Sequence, residues 1–313
     1  MTDNEQSLAE RTMAQQKARD EEARKIAESD SARSEQRQRT FGLIRNLARR
    51  EISSQYKRTV LGRVWSLLNP LASIAVYAMI FGVVFRGGAP TGRGSGIESY
   101  ALWIAVGVLA WGFFSNAIMS TMNSFVSNQA LLTKVYFPRY VLPVSKMISN
   151  VVNHLPEMAV LLVIVIIVSG PRVILYLPVL AVVIALASAF ALGLGLFLAV
   201  GMIYFRDLEY LWGIINQVWM YASGVVFPLT MLETVATDLQ GRGISLGGEP
   251  LPLVNIFRTN PAELYLELYR GVFYDVALPT WNVWAGATAW SLLALFAGVT
   301  VYRRFSDRIV EEL

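Results

Sequence analysis

Six apolar runs, each about as long as a bilayer is thick, constrain this chain more than any other feature. A helix rises 1.5 Å per residue, so roughly 20 apolar residues cross the hydrocarbon. The runs are residues 67–85, 100–122, 149–168, 174–204, 211–229 and 281–302. A helical lead from Val141 enters the third, and the fourth is long enough to extend beyond the hydrocarbon. Charge keeps clear of them: residues 1–63 hold 14 of the 27 Lys/Arg and 10 of the 23 Asp/Glu. The whole chain is only 16% charged, against about 25% in soluble domains. A core facing water cannot absorb so many apolar runs, so the bilayer is the solvent. The expected fold class is an all-α integral membrane protein with six transmembrane helices.

Basic residues set the expected orientation. With the N-terminus inside, the cytoplasmic face holds residues 1–63, Lys134, Arg139, Lys146, Arg206, Arg303, Arg304 and Arg308. The opposite face keeps Arg86, Arg93, Arg172, Arg242, Arg258 and Arg270. Lys and Arg favour the cytoplasmic side, so both termini are expected there, in the plasma membrane. The same distribution accounts for the net charge of +4 without nucleic acid as a partner.

The expected organisation has four parts. Residues 1–40 bury too little to offset their ordering entropy and read as a disordered cytoplasmic tail; they carry no apolar core, so no cleavable signal peptide is expected. Residues 41–66 form an interfacial amphipathic helix region, with Phe41, Ile44, Leu47 and Ala48 on one face and Arg45, Arg49 and Arg50 flanking it. Residues 67–302 form the membrane domain, and 303–313 a short cytoplasmic tail. Within the long loop 230–280, Asn260-Pro261 followed by Glu263 signals a helix start. That helix would run to about Tyr274, too short to span, as a re-entrant or interfacial outer helix between spans five and six.

Several chemistries are excluded. The chain has no cysteine and one histidine, His154, so disulfides, thiol chemistry and multi-His metal sites are ruled out. No phosphate-binding G-x-x-x-x-G-K-[ST] loop, H-E-x-x-H or G-x-S-x-G sequence occurs. Uphill movement would therefore draw on an ion gradient or on a separate ATPase. For the first option the candidates are His154 and Glu157, three residues apart on one face of span three, with Asn150 and Asn153 nearby. They form either a proton site or a polar face packed against neighbouring helices.

The stretch REISSQYKRTVLGRVWSLLNPLASIAVYAMIFGVVF resembles the type-2 ABC exporter permease family, the membrane subunits of Wzm-like O-antigen, capsule, teichoic-acid and galactan exporters. The residues that carry the likeness are Arg50, Glu51, Tyr56, Lys57, Thr59, Leu61, Gly62, Trp65, Leu67 and Pro70. Three further blocks follow in the family's order: NQALLTKVYFPRYVLPVS, YFRDLEYLWGIINQVWMYASGVVFPL and NPAELYLELYRGVFY. The resemblance implies a transport subunit rather than an enzyme. It implies a homodimer paired with two copies of a cytoplasmic ABC ATPase, which would use ATP and Mg while this chain binds no cofactor. It also implies coupling segments that dock on the ATPase: Lys134, Tyr136, Phe137, Pro138 and Arg139 in the 128–139 loop, then Arg206 and Asp207. A simple membrane-surface turn is the alternative for that loop.

A lipid-linked polysaccharide, the cargo so implied, needs a path that wets yet offers flat stacking surfaces. Two polar-aromatic stripes at helical spacing suit it: Asn69, Ser73, Tyr77 and Phe81 in span one, and Trp212, Asn216, Trp219, Ser223 and Phe227 in span five. Trp103 and Trp281 fit ordinary interfacial aromatics. Arg45, Arg49, Arg50 and Lys57 would receive the phosphates of the lipid carrier or anchor to lipid headgroups. The rival readings are a membrane-embedded glycosyltransferase or ligase, for which Asp238, Glu249 and Asp275 are scattered carboxylates, and an ion-coupled carrier.

Overall fold

The structure, a computed structural model of the chain, describes residues 35–55, 61–80, 90–135, 137–242, 244 and 250–309. Among these there is no strand. The chain divides after Asn46 into two compact units. Helix α1 covers residues 35–55; its part up to Asn46 belongs to the first unit, and everything from Leu47 onward to the second. The helix thus begins earlier than the expected boundary at 41. Along it Arg45, Arg49 and Arg50 are exposed, while Leu43, Ile44 and Leu47 are half-buried and Ala48 is buried.

The second unit holds α2 (Trp65–Tyr77), α3 (Tyr100–Met122), α4 (Gln129–Leu132), α5 (Val141–Ser169) and α6 (Leu177–Tyr204). It continues with α7 (Leu208–Tyr221), α8 (Leu229–Gly241), α9 (Leu253–Arg258), α10 (Pro261–Arg270) and α11 (Trp281–Phe305). Among the described residues four helices are long and apolar enough to cross a membrane: Tyr100–Met122, Val141–Ser169, Pro171–Tyr204 and Trp281–Phe305. The run Trp65–Ile80 is apolar but shorter, and the rest of the first expected span, Phe81 included, lies outside the described residues.

The fifth expected span departs from the sequence reading. Helix α7 has 14 residues, about 21 Å at the helical rise, against the ~30 Å of a hydrocarbon core. It stops because Gly224 takes φ +64°, a left-handed conformation that glycine adopts freely and a β-branched residue does not. Ser223 sits in the turn and Phe227 beyond it, so the expected stripe is not carried by one continuous helix.

Packing is set by small residues and by helix length. Helix α6 makes its most extensive contact with α11, then with α3. A Cβ on Gly298 would collide with the carbonyl of Gly193, and one on Gly193 with the backbone of Ala294. Glycine lets these two backbones approach where any side chain would hold them apart. Helix α3 is central to the second unit, with 16 of its 23 residues buried. A smaller cluster joins Phe125, Leu132, Leu142, Ala199, Ile203 and Ile309, with Leu47, Phe137 and Tyr302 packed against it.

Candidate functional site

Three faces at helical spacing build a polar cavity of about 380 Å³. Helix α3 contributes Asn116, Ser120 and, at its C-cap, Asn123; α5 contributes Asn150, Asn153 and Glu157; α2 contributes Ser66 and Asn69. Residues three and four apart share one face of a helix, which is why these apolar-looking runs turn their amides to one place. Gln55 at the end of α1 completes the polar wall, and Pro70 and Met119 add apolar surface. Among the described residues neither Lys nor Arg lines the cavity.

The wall is braced by hydrogen bonds. Asn150 Nδ2 donates to Ser120 Oγ and to the Lys146 carbonyl at 2.9 Å. Asn153 Nδ2 donates to Gln55 Oε1 at 2.8 Å, and Asn123 Nδ2 to Glu209 Oε1 on α7 at 2.9 Å. Lys146, one turn before Asn150, is held by Glu51 at 2.7 Å. Behind the wall, Glu157 Oε2 lies 2.8 Å from His154 Nδ1, and His154 Nε2 lies 3.2 Å from the Tyr269 hydroxyl on α10. The His154 ring stacks on Phe113 at 4.4 Å. The two candidate ionisable groups of span three are therefore paired and packed.

The second feature is α10 itself. Its start follows the Asn-Pro signal: Asn260 Oδ1 accepts from the Ala262 N–H at 3.1 Å. Its end is a wider turn, Gly271–Asp275, so the helical stretch reaches the expected neighbourhood of Tyr274. Eight of its ten residues are buried. It packs against α3 and α11 inside the bundle instead of lying on a surface.

Long-range bonds fix α10 at both ends. Asn260 also accepts from Trp219 Nε1 at 2.8 Å and donates from Nδ2 to Ala222 O at 2.8 Å and Ser223 Oγ at 3.0 Å. One amide thus ties the broken end of α7 to the start of α10. At the other end Arg270 Nη2 donates to the carbonyls of Gly224 and Val225, each at 3.0 Å. Its guanidinium lies 3.5 Å over the Trp103 ring, an arrangement that stabilises a desolvated cation. Tyr265 bonds to Ala287 O and Ser291 Oγ of α11 at 3.0 and 2.6 Å. Beyond the helix, Arg93 holds Asp275 Oδ2 through Nε at 3.0 Å and Nη2 at 2.8 Å.

Glu263, in the first turn of α10, is 3% exposed and its Oε2 has no hydrogen-bond partner.

The expected site residues fall into different surroundings. Of the first stripe, Asn69 is exposed and lines the cavity, while Ser73 and Tyr77 are half-buried. Of the second, Trp212 (6% exposed) and Ser223 (0%) are buried and present no surface to a passage. Trp219 points into an aromatic cluster with Trp111, Phe114 and Trp212. Asn216 donates to Ser115 Oγ at 2.7 Å, and Phe227 packs edge-on against Phe257. In the 128–139 loop Lys134 is exposed, Pro138 and Arg139 are half-buried, and Phe137 packs on the small cluster. Arg206 and Asp207 are exposed; Tyr136 and Lys57 lie outside the described residues.

Two roles escaped the sequence reading. Arg270, counted there with the outward-facing cations, is 8% exposed and carried by Trp103, which is itself buried at 5% instead of sitting in an interface; Trp281 does stand out, 78% exposed. The lever in Asn260 beyond its cap was equally hidden, because its partners lie about forty residues upstream. The scattered carboxylates of the enzyme reading do not converge: Asp275 is paired with Arg93 and Asp238 with Arg242, and Glu249 is outside the described residues.

Residues 42–237 match the family model described as ABC-2 type transporter. A protein of Myxococcus xanthus named O-antigen export system permease protein RfbA is 26% identical over 272 residues, which is 87% of this chain and 95% of that protein. A protein of the same name from Klebsiella pneumoniae is 23% identical over 192 residues, 61% of this chain and 71% of the relative.

Proposed function

We infer, from the premise that this chain belongs to the ABC-2 type transporter family, that it is the membrane-spanning permease subunit of an exporter for a lipid-linked polysaccharide. The observation that carries the cargo is the match, over 95% of its length, to a relative named for O-antigen export. The energy comes from a separate cytoplasmic ABC ATPase, since the chain has no phosphate-binding loop of its own.

In this reading two copies of the chain and two ATPases assemble in the plasma membrane, with both termini cytoplasmic. The four long helices, the α2 run and the α7 segment with its broken end make six crossings. The buried α10 enters the outer half of the bundle and returns. Irregular backbone at such depth is tolerated where protein covers it, and the bonds from Asn260 and Arg270 to residues 222–225 supply that cover. Asn69, Ser73, Tyr77, Asn216 and Phe227 border the path. Arg45, Arg49, Arg50 and Lys57 meet the carrier phosphates. Lys134, Tyr136, Phe137, Pro138, Arg139, Arg206 and Asp207 meet the ATPase, which alone uses ATP and Mg.

The mechanism follows from where force enters. Nucleotide-driven closure of the ATPases pushes the 128–139 loop. Phe137 passes that push to the cluster of Leu132, Leu142 and Ile309, which also touches Leu47 of α1. Movement there reaches α5 and α3, and through Tyr269 and Asn260 the segment that follows α7. Co-purification with the ATPase, followed by hydrolysis assays with defined lipid-linked glycans, tests the reading. Stimulation by such a glycan is expected; a stable complex indifferent to every lipid-linked glycan contradicts the cargo.

A further inference from the structure

The amide-lined cavity between α2, α3 and α5 reaches α10 through the Glu157–His154–Tyr269 chain, and its chemistry is specific. An asparagine side chain offers a donor pair and an acceptor side by side, and a hydroxyl group is likewise both donor and acceptor. Asn69, Asn116, Asn123, Asn150 and Asn153 all border one space of about 380 Å³, within the roughly 300–1,000 Å³ of small-molecule pockets. That is far larger than a bare ion needs. Asn69 and Asn116 are exposed; polar groups at such depth are expensive unless water or a ligand satisfies them.

Charge narrows the class of ligand. Among the described residues no Lys or Arg borders the space, and Lys146 nearby is held by Glu51. Glu157 adds a carboxylate, fixed from behind by His154. A phosphate or carboxylate would meet repulsion from that carboxylate, whereas a neutral polyol meets acceptors and donors on several sides. Pro70 and Met119 supply apolar surface for ring C–H groups.

We propose that this cavity is a binding subsite for one or two uncharged sugar rings, distinct from the arginines of α1 that suit phosphate. The proposal rests on the exporter reading and adds to it where a neutral part of the glycan is held on the proposed cytoplasmic side.

The chain has no cysteine, so Asn116→Cys places a single thiol in the cavity of the full chain reconstituted with its ATPase. Its labelling by a hydrophilic thiol reagent is measured alone, with the neutral disaccharide N,N′-diacetylchitobiose, and with glycerol 3-phosphate as a lipid-headgroup mimic. The expected result is ready labelling, slowed by the disaccharide and not by glycerol 3-phosphate. Adding Asn69→Ala should weaken the apparent affinity of that protection about tenfold, the effect of one lost hydrogen bond at the upper end of its range. The reciprocal pair, Asn69→Cys read with Asn116→Ala, serves if the first variant does not fold. An unreactive thiol, labelling indifferent to the disaccharide, or equal slowing by glycerol 3-phosphate overturns the subsite. Glycan transport by the same vesicles separates the two claims: transport without protection defeats the subsite alone, and absence of both defeats the exporter reading as well.

Discussion

Asn260 concentrates more structure in one side chain than any other residue described. It caps α10, accepts the Trp219 indole N–H and donates to Ala222 and Ser223. Loss of an N-cap costs about 0.5–2 kcal/mol, and a buried donor left unpaired about 1–3 kcal/mol. Asn260→Ala should therefore lower the midpoint of thermal unfolding markedly in detergent, and Asn260→Asp, which keeps the acceptor but not the donors, should lower it less. Equal effects would mean that the cap and the indole bond carry nothing.

Among the elements, the contact of α6 with α11 is the least tolerant of change. Gly298→Val places a branched side chain where the Gly193 carbonyl already sits. Overpacking of this kind typically costs 1–3 kcal/mol or more, and here the clash is with backbone that cannot swing aside. The expected outcome is loss of folded, monodisperse protein on size exclusion, while Gly42→Ala, at a position with open space, leaves the profile unchanged. The long helices were legible because their apolar runs are continuous and their limits carry signals; α3 starts at Tyr100 and ends at Met122 as the run itself does. What stayed hidden has a common cause. Composition cannot distinguish a run that crosses in one piece from one that turns at Gly224, because the turn depends on a backbone angle and on carbonyls that Arg270 collects from 46 and 45 residues away. Edge-on ring contacts of Trp219 with Trp111 and Trp212, and its bond to Asn260, draw these indoles inward, although the spacing of Trp212 and Trp219 fits a lining stripe equally well. The asparagines of the cavity were individually visible, but only the packing of three helices brings them together.

Across the whole molecule, an energy input at one end of the bundle connects to a moving segment at the other. Of the proposed input residues, Phe137 packs on the apolar cluster that also holds Ile309. Phe137→Ala removes an aromatic anchor from that cluster while leaving Asn260, Arg270 and the cavity untouched. The assembled complex should then hydrolyse ATP with little response to glycan, so that the ratio of stimulated to basal hydrolysis falls toward one. A variant that keeps full stimulation would place the coupling elsewhere. The central claim is that this chain carries lipid-linked polysaccharide across a membrane using hydrolysis by a separate subunit. It is tested most directly by transport into sealed vesicles holding the chain with its ATPase, with the appearance of the polysaccharide on the far side measured over time. Appearance should require both ATP and the ATPase and cease with a hydrolysis-deficient ATPase; movement at the same rate without the ATPase would contradict this role.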